Sequence, residues 1–95
     1  MAELDPLIHA PVRLRVVTTL SAVSEAEFAT LRNILDVSDS VLSKHVSALA
    51  DAGYVHSRKG VREGRRTTWI GLTSTGRKAL REHVAALRRL IDVVE

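Results

Sequence analysis

The sequence predicts a mainly α-helical fold carrying one small β-hairpin (α+β). Three observations predict it. Apolar residues recur at helical spacing in three successive segments before Gly53. Alternation typical of strands replaces that spacing from Tyr54 to Leu72, and helical spacing returns from Thr73 to the end of the chain. A length of 95 residues, 45% of them apolar, allows one domain (residues 1–95) with one modest core. Only three residues are aromatic (Phe, Trp, Tyr), so aliphatic side chains must fill that core.

Asp5-Pro6 opens a turn or short helix, and Pro11 suits the first position of the next one. From Pro11 to about Ala22, Val12, Val16, Leu20 and Val23 line one side, broadened by Leu14 and Val17. Ser24 followed by Glu27 has the spacing of a capping box that opens a helix running to about Leu35. Phe28, Leu31 and Leu35 face inward there, and Ile34 widens the buried face. Three to five residues later a third helix begins, with Ser38 or Asp39 as N-cap. Its apolar stripe is Leu42, Val46 and Leu49, and Gly53 stands where a left-handed C-terminal cap is needed. Two helices joined by so short a turn match a helix-turn-helix, over about residues 25–52.

The opposite face of the third helix carries Ser40, Ser43, Lys44 and Ser47. Short hydroxyl side chains exchange hydrogen bonds without holding the backbone away, which suits a helix lying deep in a groove. A serine-rich solvated face is the plain alternative, and the basic segment that follows weighs against it. Tyr54–Lys59 and Thr67–Leu72 read as two strands, flanking a glycine-bounded turn region, residues 60–66, rich in arginine. Val55, Ile70 and Leu72 are placed to face the core. Trp69 falls on the other face and is expected to pack against a neighbouring helix or a partner chain.

The last helix, about residues 74–94, is capped by Thr73 or Ser74. Leu80, Val84, Leu87, Ile91 and Val94 form one apolar line, with Ala79, Ala86, Leu90 and Val93 beside it. One line can cover the domain's own first helix. The other needs a second copy, so Leu80, Val84, Leu87, Leu90, Ile91 and Val94 form the candidate dimer interface.

Residues 1–57 hold 4 Lys/Arg against 7 Asp/Glu, a balance of −3, whereas residues 58–95 hold 10 against 4, a balance of +6. Concentrated positive charge points to a polyanion, usually nucleic acid. There is no Cys, which excludes disulfides and thiolate metal sites and fits a reducing cytoplasm. The N-terminus lacks the layout of a signal peptide, and no apolar run approaches a membrane span. These features describe a soluble cytoplasmic protein with no membrane partner. No glycine-rich phosphate loop, nucleophile elbow or paired catalytic motif is present, so an enzyme is not expected. The four histidines (His9, His45, His56 and His83) lack close ligand spacing, and no metal or cofactor is expected.

Leu42-Ser43-Lys44-His45-Val46, then Leu49 and Ala52-Gly53-Tyr54-Val55, resembles the end of the recognition helix in winged helix-turn-helix regulators of the MarR and ArsR type, with Val46 in place of the usual Leu. Leu72-Thr73-Ser74-Thr75-Gly76-Arg77 resembles the L-T-x-x-G-R opening of that family's next helix, and His9-Ala10-Pro11-Val12-Arg13 its first main helix. The resemblance covers about residues 8–95. It implies a winged helix-turn-helix with an added C-terminal dimerisation helix, the wing spanning about residues 54–72.

It also implies a homodimer on double-stranded DNA, with the recognition helix in the major groove and the wing on the minor groove or its phosphates. The candidate contacts are Ser38, Ser40, Ser43, Lys44, His45 and Ser47 on the helix, and Arg58, Lys59, Arg62, Arg65 and Arg66 on the wing. His45 is expected to pack or touch phosphate rather than bind metal. Wings of the MarR type often carry Asp-x-Arg, the acid orienting the arginine; Glu63-Gly64-Arg65 is a looser version. Effectors of similar proteins sit between the first helix, the recognition bundle and the terminal helices, where no polar cluster marks a site here. The expected function is a sequence-specific regulator, a repressor. A protein-interaction module and a non-specific nucleoid-type binder are the alternatives.

Overall fold

Asp5 caps the first helix of the chain. Its Oδ1 accepts from the amides of Leu7 (2.9 Å) and Ile8 (3.4 Å), capping α1 (Pro6–His9) and seating the fully buried Ile8. The computed structural model describes residues 3–94. After α1 come α2 (Pro11–Ser21), β1 (Ala26–Glu27), α3 (Phe28–Leu35), α4 (Asp39–Asp51), β2 (Val55–Arg62), β3 (Arg65–Leu72) and α5 (Ser74–Val94). The sheet is antiparallel in the order β1-β3-β2. No helix among the described residues is long and apolar enough to cross a membrane.

Val16, Val17 and Leu20 of α2 meet Leu31 and Leu35 of α3, Leu42 and Leu49 of α4, and Val55, Ile70 and Leu72 of the sheet in one core. These are the inward faces that the periodicity marks. Ile34 and Val23 depart from their expected roles and are 55% and 42% exposed. The turn between α3 and α4 is Asp36-Val37-Ser38: Asp36 takes the left-handed conformation (φ 54°) and its amide donates to the Arg32 carbonyl. Ser38 is the N-cap, its Oγ accepting from Val41 N at 3.2 Å.

Two expectations about the region before α3 and the hairpin are corrected. The Ser24/Glu27 capping box does not form. Residues 26–27 are a short strand paired with Ile70 and Trp69, and the Glu27 side chain is drawn away to the hairpin. The turn is also much tighter than residues 60–66. It comprises Glu63 and Gly64 alone, both at positive φ (52° and 75°), the pattern of a two-residue turn whose twist matches its strands. Gly60 lies inside β2, opposite Thr67.

The start of α5 is tied down at three points. Thr73 Oγ1 donates to the Gly53 carbonyl (2.6 Å) and accepts from Gly76 N (2.9 Å). Gly76 itself lies so close to the Tyr54 carbonyl that a Cβ there would overlap it. Arg77 donates to the Ser21 and Val23 carbonyls, capping the end of α2 (3.2 and 3.1 Å). This is the physical content of the Leu72–Arg77 motif.

The domain-facing line of α5 is Gly76, Leu80, His83 and Ala86. Leu80, expected in the dimer interface, is only 8% exposed and belongs to the chain's own core. Val84 also packs, half-buried, against that core. Leu90 and Ile91 are 53% and 58% exposed, and Val94 86%. The radius of gyration is 14.2 Å, against about 12 Å for a compact domain of this length, and the longest dimension is 52 Å.

His83, fully buried, is the polar member of that line. Its Nδ1 accepts from Asp5 N at 2.9 Å, so Nε2 carries the proton and faces His9 Nδ1 at 3.5 Å. A protonated Nε2 is not available to ligate a metal. The two rings meet edge to face, centroids 5.4 Å apart. Asp5 Oδ2 in turn accepts from Tyr54 Oη at 2.6 Å, and this bond, with burial, pushes the Tyr54 pKa up to about 12.

Burial, then the neighbouring His9, lowers the His83 pKa from its ordinary 6.5, against a smaller opposite pull from Asp5. The native state thus resists a proton that the unfolded chain accepts. Stability is complete above the ordinary histidine value and is lost as pH falls below it towards the lowered native value. Urea unfolding midpoints measured from pH 7.5 down to 5 are expected to fall, and His83→Gln, which keeps an acceptor for Asp5 N, is expected to flatten that decline.

Candidate nucleic-acid interface

Helix α4 buries Leu42 and Leu49, and this orients its opposite face outward. Ser40, Ser43, Lys44 and Ser47 are all exposed on that face, with Ser38 at its N-terminal end. Ser38 Oγ and Ser40 Oγ are 3.2 Å apart, within hydrogen-bonding distance. The side chain of Asp39 binds Arg32 of α3 at 2.8 Å, which braces the turn between the helices.

His45 is set apart from this group. It is half-buried, with Nδ1 3.2 Å from Arg13 Nη1. A guanidinium can only donate, so Nδ1 accepts and Nε2 holds the proton. Burial, then Arg13 and Lys44, lowers the His45 pKa from its ordinary value and so favours the neutral ring. Arg13 also donates from Nε to the Leu7 carbonyl at 2.5 Å, so one side chain links α1, α2 and α4.

The register of β2 and β3 sorts the hairpin's cations between two faces, because directly opposed residues share a side. Arg58 opposite Trp69, and Arg62 opposite Arg65, lie on the outer face. Lys59 opposite Thr68, and Val61 opposite Arg66, lie on the same side as the core residues Val55, Ile70 and Leu72. On the outer face Arg58 grips Glu25 through Nε (3.0 Å to each carboxylate oxygen) and Nη2 (2.8 Å). It also lies 5.4 Å over the Trp69 ring. Trp69 therefore has contacts within the hairpin, under Arg58 and beside Gly60. Arg62 pairs with Glu27, which accepts a second bond from Thr67 Oγ1 at 2.9 Å.

Hydrogen bonds from these arginines hold both carboxylates below the ordinary range. Among the described residues, Lys59, Arg65 and Arg66 make no ion pair. Under the hairpin, Phe28 and Ala29 of α3 and Lys59, Val61, Arg66 and Thr68 line a cleft of about 670 Å³. None of its lining residues belongs to α5.

Residues 12–91 match the family model described as a winged helix DNA-binding domain. The chain belongs to that family. An uncharacterized protein of Methanocaldococcus jannaschii is 28% identical over 89 residues, covering 94% of this chain and 97% of its own. The transcriptional regulator homologue from Pyrococcus horikoshii has a TM-score of 0.88 at 25% identity, over 94% of this chain and 88% of that one. A MarR family transcriptional regulator from Silicibacter pomeroyi gives 0.69 at 25%, over 83% and 51%. The expected resemblance to MarR-type regulators and the winged-helix fold class are both borne out. The family and these neighbours support a DNA-binding transcriptional regulator rather than an enzyme.

In this winged helix the structure brings Ser38, Ser40, Ser43, Lys44 and Ser47 together on one exposed helix face. It divides the five wing cations into two that are paired and three that are not. Glu25 and Glu27, which hold the paired ones, and Thr67, which donates to Glu27, are not apparent in the sequence. The capping-box spacing of Ser24 and Glu27 offers a local role for that acid and hides the long-range one. Arg58→Ala is expected to uncover Trp69, the chain's one tryptophan, removing a contact worth about 0.5–1 kcal/mol. A red-shifted fluorescence emission from the variant is the measurement that checks it.

Proposed function

We propose that this winged helix is a sequence-specific double-stranded DNA-binding repressor that acts as a two-fold dimer. The observation that carries the reading is the exposed Ser40, Ser43, Lys44 and Ser47 face of α4 beside a wing with three unpaired cations. α4 enters the major groove, where the short side chains let the backbone approach the base edges. The wing reaches the neighbouring minor groove or its phosphates through Lys59, Arg65 and Arg66. His45 supports α4 from behind. A protein-interaction surface would more often present an apolar cluster where α4 presents serines.

Replacing Ser43 and Ser47 together with Ala is expected to flatten sequence preference in a selection from random duplexes while the fold survives. Each hydroxyl contact sits at or below the low end of the roughly 1–3 kcal/mol of a good bidentate base contact. Unchanged preference removes α4 from the readout.

The dimer is built from the outer part of α5, with Leu87, Leu90, Ile91 and Val94 on the contact face and Val84 at its edge. Leu90, Ile91, Val93 and Val94 are exposed in the single chain, and burying a leucine contributes about 1.5–3 kcal/mol. Several such residues per chain offset the cost of association. Two recognition helices then meet half-sites about 34 Å apart on a near-palindromic operator, where a bound dimer blocks access to the DNA. Leu90→Glu is expected to give a folded monomer with sharply reduced operator affinity. Sedimentation showing a wild-type monomer at micromolar concentration, with tight binding to one half-site, overturns the dimer.

A further inference from the structure

We propose that Glu25 and Glu27 are positioning residues of the wing: they hold Arg58 and Arg62 on its outer face, set its angle to the helix-turn-helix, and withdraw two of its five cations from the DNA backbone. The inference rests on the DNA-binding reading above and assigns these acids the role of favouring discrimination over indiscriminate attraction.

The geometry supports this at both pairs. Arg58 meets Glu25 in a forked arrangement, which fixes direction as well as distance. Glu27 is held from two sides, by Arg62 of β2 and Thr67 of β3, and its side chain is only 13% exposed. Arg62 stands directly opposite Arg65, a repulsive arrangement that the Glu27 carboxylate relieves. Both acids lie in the segment that leads into α3, whereas both arginines lie on β2, so each pair spans β3 and ties the wing to the helix-turn-helix.

The arginine of each pair is more than half exposed, so water screens both pairs and they contribute little to stability. Their effect is on orientation and charge. A wing with five free cations binds any duplex, and the non-specific term grows with every phosphate it neutralises. With Arg58 and Arg62 already paired, Lys59, Arg65 and Arg66 carry that term, and the α4 contacts count for more of the total.

The test uses the full chain, the Glu25→Gln/Glu27→Gln double variant and Glu27→Asp. Each is titrated against a duplex selected by the wild type and a scrambled one, over a range of salt concentrations. Hydrogen exchange of the β2 amides is followed without DNA. The Gln variant keeps the shape and loses the charge. It is expected to bind the scrambled duplex at least threefold more tightly, to discriminate at least tenfold less, and to exchange β2 amides faster. Its log–log salt slope on the scrambled duplex is expected to steepen by about 0.9 for each arginine released onto a phosphate. Glu27→Asp, which retains the charge, is expected to keep most of the discrimination.

A merely structural role lowers binding to both duplexes together and in both variants; that result overturns the inference. So does a Gln variant with unchanged discrimination and unchanged exchange. A wild type that binds no duplex, or all duplexes alike, overturns the DNA reading and this inference with it, whereas a discriminating wild type matched by its Gln variant overturns the inference alone.

Discussion

The register of one hairpin governs most of what surrounds it. Glu63 and Gly64, both at positive φ, leave no slack between β2 and β3, so Val55 must oppose Leu72 and Arg62 must oppose Arg65. A slip of one residue would turn Ile70 out of the core and Trp69 into it. The same register determines which cations share a face with Trp69 and the acids, and which lie over the cleft beside α3. Core packing and surface charge are thereby linked through the backbone pairing.

Against that hairpin the chain lays an acidic strand. β1 is two residues long, yet it brings Ala26 to the core side opposite Ile70 and Glu27 to the outer side opposite Trp69. A basic hairpin attached only through its own base would be free to swing. Here it is held by backbone pairing and by two carboxylates, which also keep the outer face near neutral where Arg58 and Arg62 lie. The charge left on the wing is smaller than its composition implies.

Periodicity made the inward faces of α2 and α4 legible from residue spacing, and Val55, Ile70 and Leu72 followed from alternation. Those are local signals. What the sequence hid was non-local. Glu27 reads as a capping residue until its arginine, 35 residues away, is placed beside it. His83 reads as one of four scattered histidines until Asp5, 78 residues away, supplies a backbone amide for it. The α5 stripe is continuous in sequence, so nothing local shows that Leu80 lies inside and Leu90 outside. That division depends on where the rest of the domain ends.

The anchoring of α5 has a consequence for how the molecule is proportioned. Its first turn is locked to Gly53, Tyr54 and the end of α2, at the base of both α4 and β2. Beyond Ala86 its side chains are increasingly exposed. At 1.5 Å per residue its 21 residues make a rod about 31 Å long, seated on the domain as far as Ala86 and projecting beyond it. Such a rod is a lever: each degree of tilt at its base carries the far end through about 0.5 Å. Because its base meets the junction of α4 and β2, a tilt of the rod bears on both elements at once.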